Sequence, residues 1–217
     1  MIRWTDIDTV FLDMDGTLLD LHYDNHFWQE HVPKRYAEAN NLTLAQSKST
    51  LVSRFKKAEG TLDWYSVDYW SDELGLDIAL LKAEVDHLIT VFPFVVDFLD
   101  ALRANNKRIT LVTNAHGKAL KLKMDRTQLG GHFDRLICSH DLGLAKEHEP
   151  FWDKLQTTEP FDKSRTLLID DSLPVLRCAQ RYGIEHLLAV FSPDSRAPAK
   201  EVGEFAAIRS FKDIMPT

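Results

Sequence analysis

A chain of 217 residues, 44% apolar and 27% charged, has the composition of an ordinary globular protein, long enough for one large domain or a core domain with an insertion. Its 26 basic and 33 acidic residues leave a net charge of −7, which argues against bulk binding of nucleic acid or of an anionic membrane surface, since both need a basic face. The two cysteines, Cys138 and Cys178, are too few for a disulfide framework and lie among apolar neighbours, so buried free thiols are expected. No apolar run reaches the roughly 18 residues of a membrane span, and the acidic start Met1-Ile2-Arg3-Trp4-Thr5-Asp6 is unlike a signal peptide, so a cytoplasmic location is expected.

The first predicted element ends in Val10-Phe11-Leu12-Asp13-Met14-Asp15-Gly16-Thr17. The apolar run suits a strand covered on both faces. Asp13 and Asp15 alternate with an apolar residue, which points both carboxylates to one side, and Gly16 permits a sharp turn. Residues 24–89 carry long helical patterns and no strand, and read as an inserted helical cap. From residue 92 onward, helical and strand segments alternate. Helices are predicted at 94–104, 118–129 (ended by Gly130-Gly131), 151–156 and 174–182. Strands are predicted at 109–113, 135–139, 165–170 and 186–190. That alternation predicts an α/β fold, a Rossmann-like parallel sheet flanked by helices. The core would comprise residues 1–23 and 90–217, and the α-helical cap residues 24–89.

Sites in such sheets lie beyond the carboxyl ends of the strands, and four of those ends carry polar groups that an apolar core does not need. They are Asp13 with Asp15, Thr113-Asn114, Lys146, and Asp170-Asp171. Singly, each has a plain structural explanation: an acidic turn, a helix cap, a solvated lysine, an acidic helix start. An EF-hand is excluded because Gly16 falls at position four from Asp13 rather than six. A nucleotide-sugar transferase would use the first acids but would leave the other three ends unexplained. Together the four meet the needs of phosphoryl transfer through a covalent intermediate. One carboxylate attacks phosphorus, a second handles the leaving-group proton, hard oxygen ligands hold Mg²⁺, and a hydroxyl, an amide and an ammonium cradle the phosphoryl oxygens.

This set resembles the haloacid dehalogenase-like hydrolase superfamily, mostly Mg²⁺-dependent phosphatases, over residues 8–22 and 92–217. The resemblance implies Asp13 as nucleophile, Asp15 as general acid/base, Thr113 and Lys146 as phosphate ligands, and an α/β core with a cap. For Mg²⁺ it implies the Asp13 carboxylate, the Asp15 carbonyl and an acid of the Asp170-Asp171 pair, with Asp171 expected as the direct ligand and Asp170 acting directly or through water. Lys146 departs from the pattern, since Glu147 follows it where the family has proline. The dehalogenases themselves lack the second acid, so Asp15 points to phosphate chemistry.

A closer similarity extends through the cap. Asp24-Asn25, Phe27-Trp28, Trp64-Tyr65, Asp68-Tyr69-Trp70, Thr113-Asn114-Ala115-His116, Lys146-Glu147 and Pro193-Asp194-Ser195 are similar to the bacterial GMP/IMP nucleotidases. This implies a small purine 5′-mononucleotide substrate contacted by Thr113, Asn114, Lys146, Asn25 and Trp28. Trp64, Tyr65, Tyr69 and Trp70 either stack on that base or pack a helix face, and His22 and His116 flank the motifs without a direct role. A sugar-phosphate phosphatase or phosphomutase on the same fold, and a catalytically silent binding module, are the competing readings. The sequence does not determine the oligomeric state.

Overall fold

A computed structural model describes residues 2–216. Strands β1 (Thr9–Leu12), β2 (Arg108–Thr113), β3 (Arg135–Cys138), β4 (Thr166–Asp170), β5 (His186–Val190) and the two-residue β6 (Ala207–Ile208) form one parallel sheet in the order β3-β2-β1-β4-β5-β6. Every residue of β1 and β4 is buried, as central strands covered on both faces must be. The pleat divides them between two cores. Val10 and Leu12 pack with Ile109, Leu111, Leu167 and Ile169 on one face, while Phe11 joins Val112 and Leu168 on the other.

Between β1 and β2 the chain forms an inserted helical cap. Helix α1 (His22–His26) passes through a π-helical turn (Phe27–His31) into α2 (Val32–Asn40). Helices α3 (Leu44–Ala58), α4 (Val67–Leu74) and α5 (Ile78–Glu84) follow, each started by a side-chain cap from Thr43, Ser66 or Asp77. The cap leaves and re-enters the core through two adjacent stretches. The Asp20 N–H donates to the Thr90 carbonyl and the Phe92 N–H to the Leu18 carbonyl, both at 2.9 Å.

In the core, α6 (Val95–Ala104) and α7 (Gly117–Thr127) cover the Val10/Leu12 face of the sheet. After the short α8 (Ser139–Leu142), helices α9 (Glu149–Thr158) and α10 (Leu173–Tyr182) cover the Phe11 face. One expectation needs correction. Helix α7 stops at Gln128, which takes the left-handed conformation at φ 58°, and not at Gly130-Gly131, which lie in the following 3₁₀ turn. The early stop lets Leu129, 1% exposed, turn back into the core. Strand β6 was not anticipated, because two residues carry no periodicity to read.

The register sets up the site. Leu12 lies opposite Leu111 on β2 and Ile169 on β4, so Asp13 emerges level with Val112 and Asp170, with Thr113 one residue further along β2. The chain runs from β1 to β2 on one side and later reaches β4 on the other. Asp13 therefore sits at the point where strand order reverses, where such sheets open a crevice.

Candidate active site

The Asp13 N–H continues the ladder to the Ile169 carbonyl at 3.0 Å, which holds the Asp13 carboxylate against Asp170. Asp13, Asp170 and Asp171 each offer a carboxylate oxygen, all within 4.8 Å of one another. Lys146 Nζ lies among them, donating to Asp13 Oδ1 at 2.6 Å, Asp170 Oδ2 at 2.7 Å and the Val112 carbonyl at 3.0 Å. The half-exposed Lys200 reaches Asp171 Oδ2 at 2.8 Å. Three carboxylates thus face two ammoniums, leaving one negative charge in excess. Converging hard oxygen donors with surplus negative charge suit a small dication such as Mg²⁺.

The electrostatics agree. Burial raises the Asp13 carboxyl to about 6 from an ordinary 3.8; the Lys146 ammonium opposes this without cancelling it, and Asp170 adds to it. Asp170 and Asp171 are raised for the same reason, burial outweighing Lys146 and Lys200 respectively. Burial would lower the Lys146 ammonium, but Asp13 and Asp170 turn the shift upward and keep it charged. Gly16 is required here by geometry. At φ +83° a Cβ would stand 2.8 Å from the Asp171 carboxylate.

Asp15 turns away from this cluster into a second one. Its Oδ1 lies 2.7 Å from Lys123 Nζ of α7, and Lys123 also bonds Asp24 Oδ2 of α1 at 2.6 Å. Asp24 Oδ1 in turn accepts from Lys82 Nζ of α5 at 3.1 Å. The result is a chain Asp15–Lys123–Asp24–Lys82 that crosses from core to cap, with two charges of each sign when Asp15 is ionised. Burial raises the Asp15 carboxyl despite Lys123, with Asp24 and Asp13 adding to the effect. Burial alone would raise Asp24 as well, but the two flanking ammoniums lower it.

Neither lysine was singled out in the sequence, though both carried a signal. Lys82 shares the i, i+3, i+4, i+7 stripe of Ile78, Leu81 and Val85, and Lys123 sits beside Leu120 and Met124, also buried. A lysine on an apolar stripe needs a buried partner.

Thr113 is buried and its Oγ1 accepts from the Ala115 N–H at 3.0 Å, leaving the hydroxyl proton free for the cleft it lines. The Asn114 side chain is committed within the protein. It accepts from the Lys146 N–H at 2.9 Å and donates to Glu147 Oε2 at 2.8 Å, and Tyr65 of the cap bonds the other Glu147 oxygen. Glu147 therefore ties the Lys146 loop to Asn114 and to the cap.

The cleft lined by Asp13, Asp15, Thr113 and Lys146 has a volume of 660 Å³, and it adjoins a chamber of 420 Å³ between core and cap. Asp15, Leu21, Trp64, Tyr65 and Ala115 line both. Trp28, Phe55, Trp64 and Trp70 form one aromatic wall of the chamber; Phe55 meets Trp28 (at 5.7 Å), Trp64 and Trp70 edge to face, and Trp28 lies tilted against Trp70 at 5.8 Å. Asn25 and Trp28 reach the chamber rather than the phosphate cleft, and the Asn25 amide donates to Asp194 at 2.6 Å. Tyr69 packs against Trp70 but lines neither space. Cys138 and Cys178 are buried free thiols, as expected. Among the described residues, no helix is long and apolar enough to cross a membrane.

A family model described as haloacid dehalogenase-like hydrolase matches residues 7–183. The chain is 37% identical over 216 residues to the GMP/IMP nucleotidase YrfG of Escherichia coli (strain K12), covering 100% of this chain and 97% of that one. It is 30% identical over 188 residues to the pyrimidine 5′-nucleotidase YjjG of the same organism, covering 79% of each. A solved HAD phosphatase from Thermococcus onnurineus superposes with a TM-score of 0.80 over 96% of each chain at 18% identity, a likeness of fold.

Proposed function

Because the chain belongs to the haloacid dehalogenase-like hydrolase family, we propose that its cleft hydrolyses phosphomonoesters through a phosphoryl-Asp13 intermediate, with a purine 5′-mononucleotide as substrate. That it is an enzyme of the phosphatase class follows from the family and from its nucleotidase relatives. The observation that carries the substrate reading is the aromatic chamber opening off the cleft at Asp15. A phosphate held at Asp13 places its ester oxygen toward Asp15 and its organic part beyond it. A planar, apolar leaving group is what tryptophan faces accommodate.

An Asp13 oxygen attacks phosphorus as the bond from phosphorus to the nucleoside 5′-oxygen breaks. The departing oxygen takes the proton of the Asp15 carboxyl, which burial raises and so keeps available. The Asp15 carboxylate then takes a proton from water, and that water's oxygen attacks phosphorus. The Asp13–phosphorus bond breaks, releasing inorganic phosphate and restoring both acids. The Thr113 hydroxyl bonds a phosphoryl oxygen, and the Lys146 ammonium does so by turning one of its three N–H groups from a present acceptor to the phosphate. Asp13, Asp170, Asp171 and the Asp15 carbonyl would hold Mg²⁺, which supplies charge neutralisation between the attacking carboxylate and the phosphate.

The test is phosphate release from purine and pyrimidine 5′-mononucleotides, hexose phosphates and an aryl phosphate, with and without Mg²⁺. GMP and IMP should be hydrolysed best, and chelation should stop turnover. A better pyrimidine or sugar substrate would overturn the purine assignment while leaving the phosphatase reading intact. A hexose phosphate converted to its isomer would make the protein a mutase.

A further inference from the structure

Lys82 is an unusual chamber residue. It is 4% exposed and occupies a position on α5 where an aliphatic side chain would pack. Its carbonyl accepts from the Tyr23 hydroxyl at 3.0 Å, which anchors α5 against α1. The ammonium stands 4.2 Å from the centroid of Phe27 and 5.5 Å from that of Trp28. Of its three N–H groups, one donates to Asp24 Oδ1 at 3.1 Å. The aromatic faces attract the charge but do not take the place of full acceptors. Donor capacity therefore remains on a buried cation that lines the aromatic chamber. Both Asp24 oxygens, by contrast, are already bonded to ammoniums.

Resting on the nucleotidase reading, we propose that Lys82 is a specificity-determining residue that donates to the acceptor edge of a 6-oxopurine and so selects IMP and GMP over AMP. Hypoxanthine and guanine present O6 and N7 side by side, both acceptors. Adenine replaces O6 with an amino donor. An ammonium has donors only, so it bonds the first edge twice and meets an N–H on the second. The engaged Asp24 leaves the adenine amino group without a ready acceptor. A site built to bond a polar substrate group discriminates strongly against the analogue that lacks it, because its own buried groups are then left unpaired.

The experiment compares kcat/KM for IMP, AMP and phenyl phosphate in the wild type, Lys82→Met and Lys82→Gln, with a thermal melt of each. Wild type should prefer IMP to AMP. Lys82→Met should lower kcat/KM for IMP about 5- to 150-fold more than for phenyl phosphate and bring the IMP/AMP ratio close to one. Lys82→Gln keeps a donor for Asp24 if the methionine variant folds poorly. Its amide both donates and accepts, so its ratio should also fall. An unchanged ratio in folded variants, or equal losses for all three substrates, would overturn the role of Lys82 alone. A wild type with no preference for purine nucleotides over phenyl phosphate would instead overturn the functional reading and this inference with it.

Discussion

Two buried ionic clusters meet at the entrance to the chamber. Around Asp13, three carboxylates face two ammoniums; from Asp15 to Lys82, two carboxylates alternate with two ammoniums. The residue types are the same, yet the first is half-open to solvent at Lys200 and has charge left over, whereas both ammoniums of the second are buried and it closes on itself when Asp15 is ionised. An unbalanced cluster is costly until a cation joins it, whereas a balanced one is held by its own geometry. The difference separates chemistry from selection. On the proposed reading the cleft activates the phosphoryl group, and the balanced chain fixes the cap, with its aromatic wall and Lys82, over the leaving group.

If that division is right, losses in the cleft should be large and common to all substrates, while losses in the chamber should be smaller and substrate-dependent. Asp13→Asn should reduce turnover of every phosphomonoester to background with the fold retained; a folded variant of normal activity would contradict the nucleophile. Asp15→Asn should cost roughly 10²–10⁴-fold in kcat/KM for a nucleotide and much less in kcat/KM for an aryl phosphate, whose oxygen leaves without protonation. Equal losses on both would remove the general-acid role.

In the chamber, Trp28→Ala should lower kcat/KM for GMP by about 5- to 150-fold, the range of a base-stacking contact, and leave an aryl phosphate nearly unaffected. A uniform loss would make Trp28 a packing residue. The smallest expected effect is on stability. Asp13 titrates near 6 when folded and near 3.8 when unfolded, so its contribution is full below about 3.8 and is lost as pH rises through about 6, by up to roughly 3 kcal/mol. Acids held low by ion pairs, such as Glu204 beside Arg177, act at lower pH, losing their contribution as pH falls from about 4.5 toward about 2. Chelator-treated protein should therefore melt lower above about pH 7 than at about pH 5, and Asp13→Asn should flatten the difference. A rise in melting temperature over that interval would contradict the unbalanced cluster.

What the sequence revealed follows the same division. Asp13, Asp15, Thr113 and Asp170-Asp171 stand where apolar strands stop, so their polarity is conspicuous locally, whereas Lys146 follows α8 rather than a strand; all of them line one cleft. The chamber is assembled from α1, α3, α4, α5 and α7, which touch only after the cap docks, and no local pattern announces which aromatics share a wall. Tyr65 and Tyr69 illustrate this. Four residues apart and alike in sequence, one bonds Glu147 at the site and the other lies outside it. Lys82 and Lys123 were readable in principle, as cations on apolar stripes, but their shared partner Asp24 lies about 60 and 100 residues away in sequence.

The most direct test of the central claim uses Asp15→Asn with an aryl phosphate and Mg²⁺, quenched in acid and mapped by peptide mass spectrometry. The good leaving group departs without the acid, and the second step lacks its base. The protein should therefore accumulate one phosphoryl group on the peptide containing Asp13, and the Asp13→Asn/Asp15→Asn double variant should carry none. Aryl phosphate turnover with no phosphoryl group on Asp13, or with the group on another residue, would contradict the account.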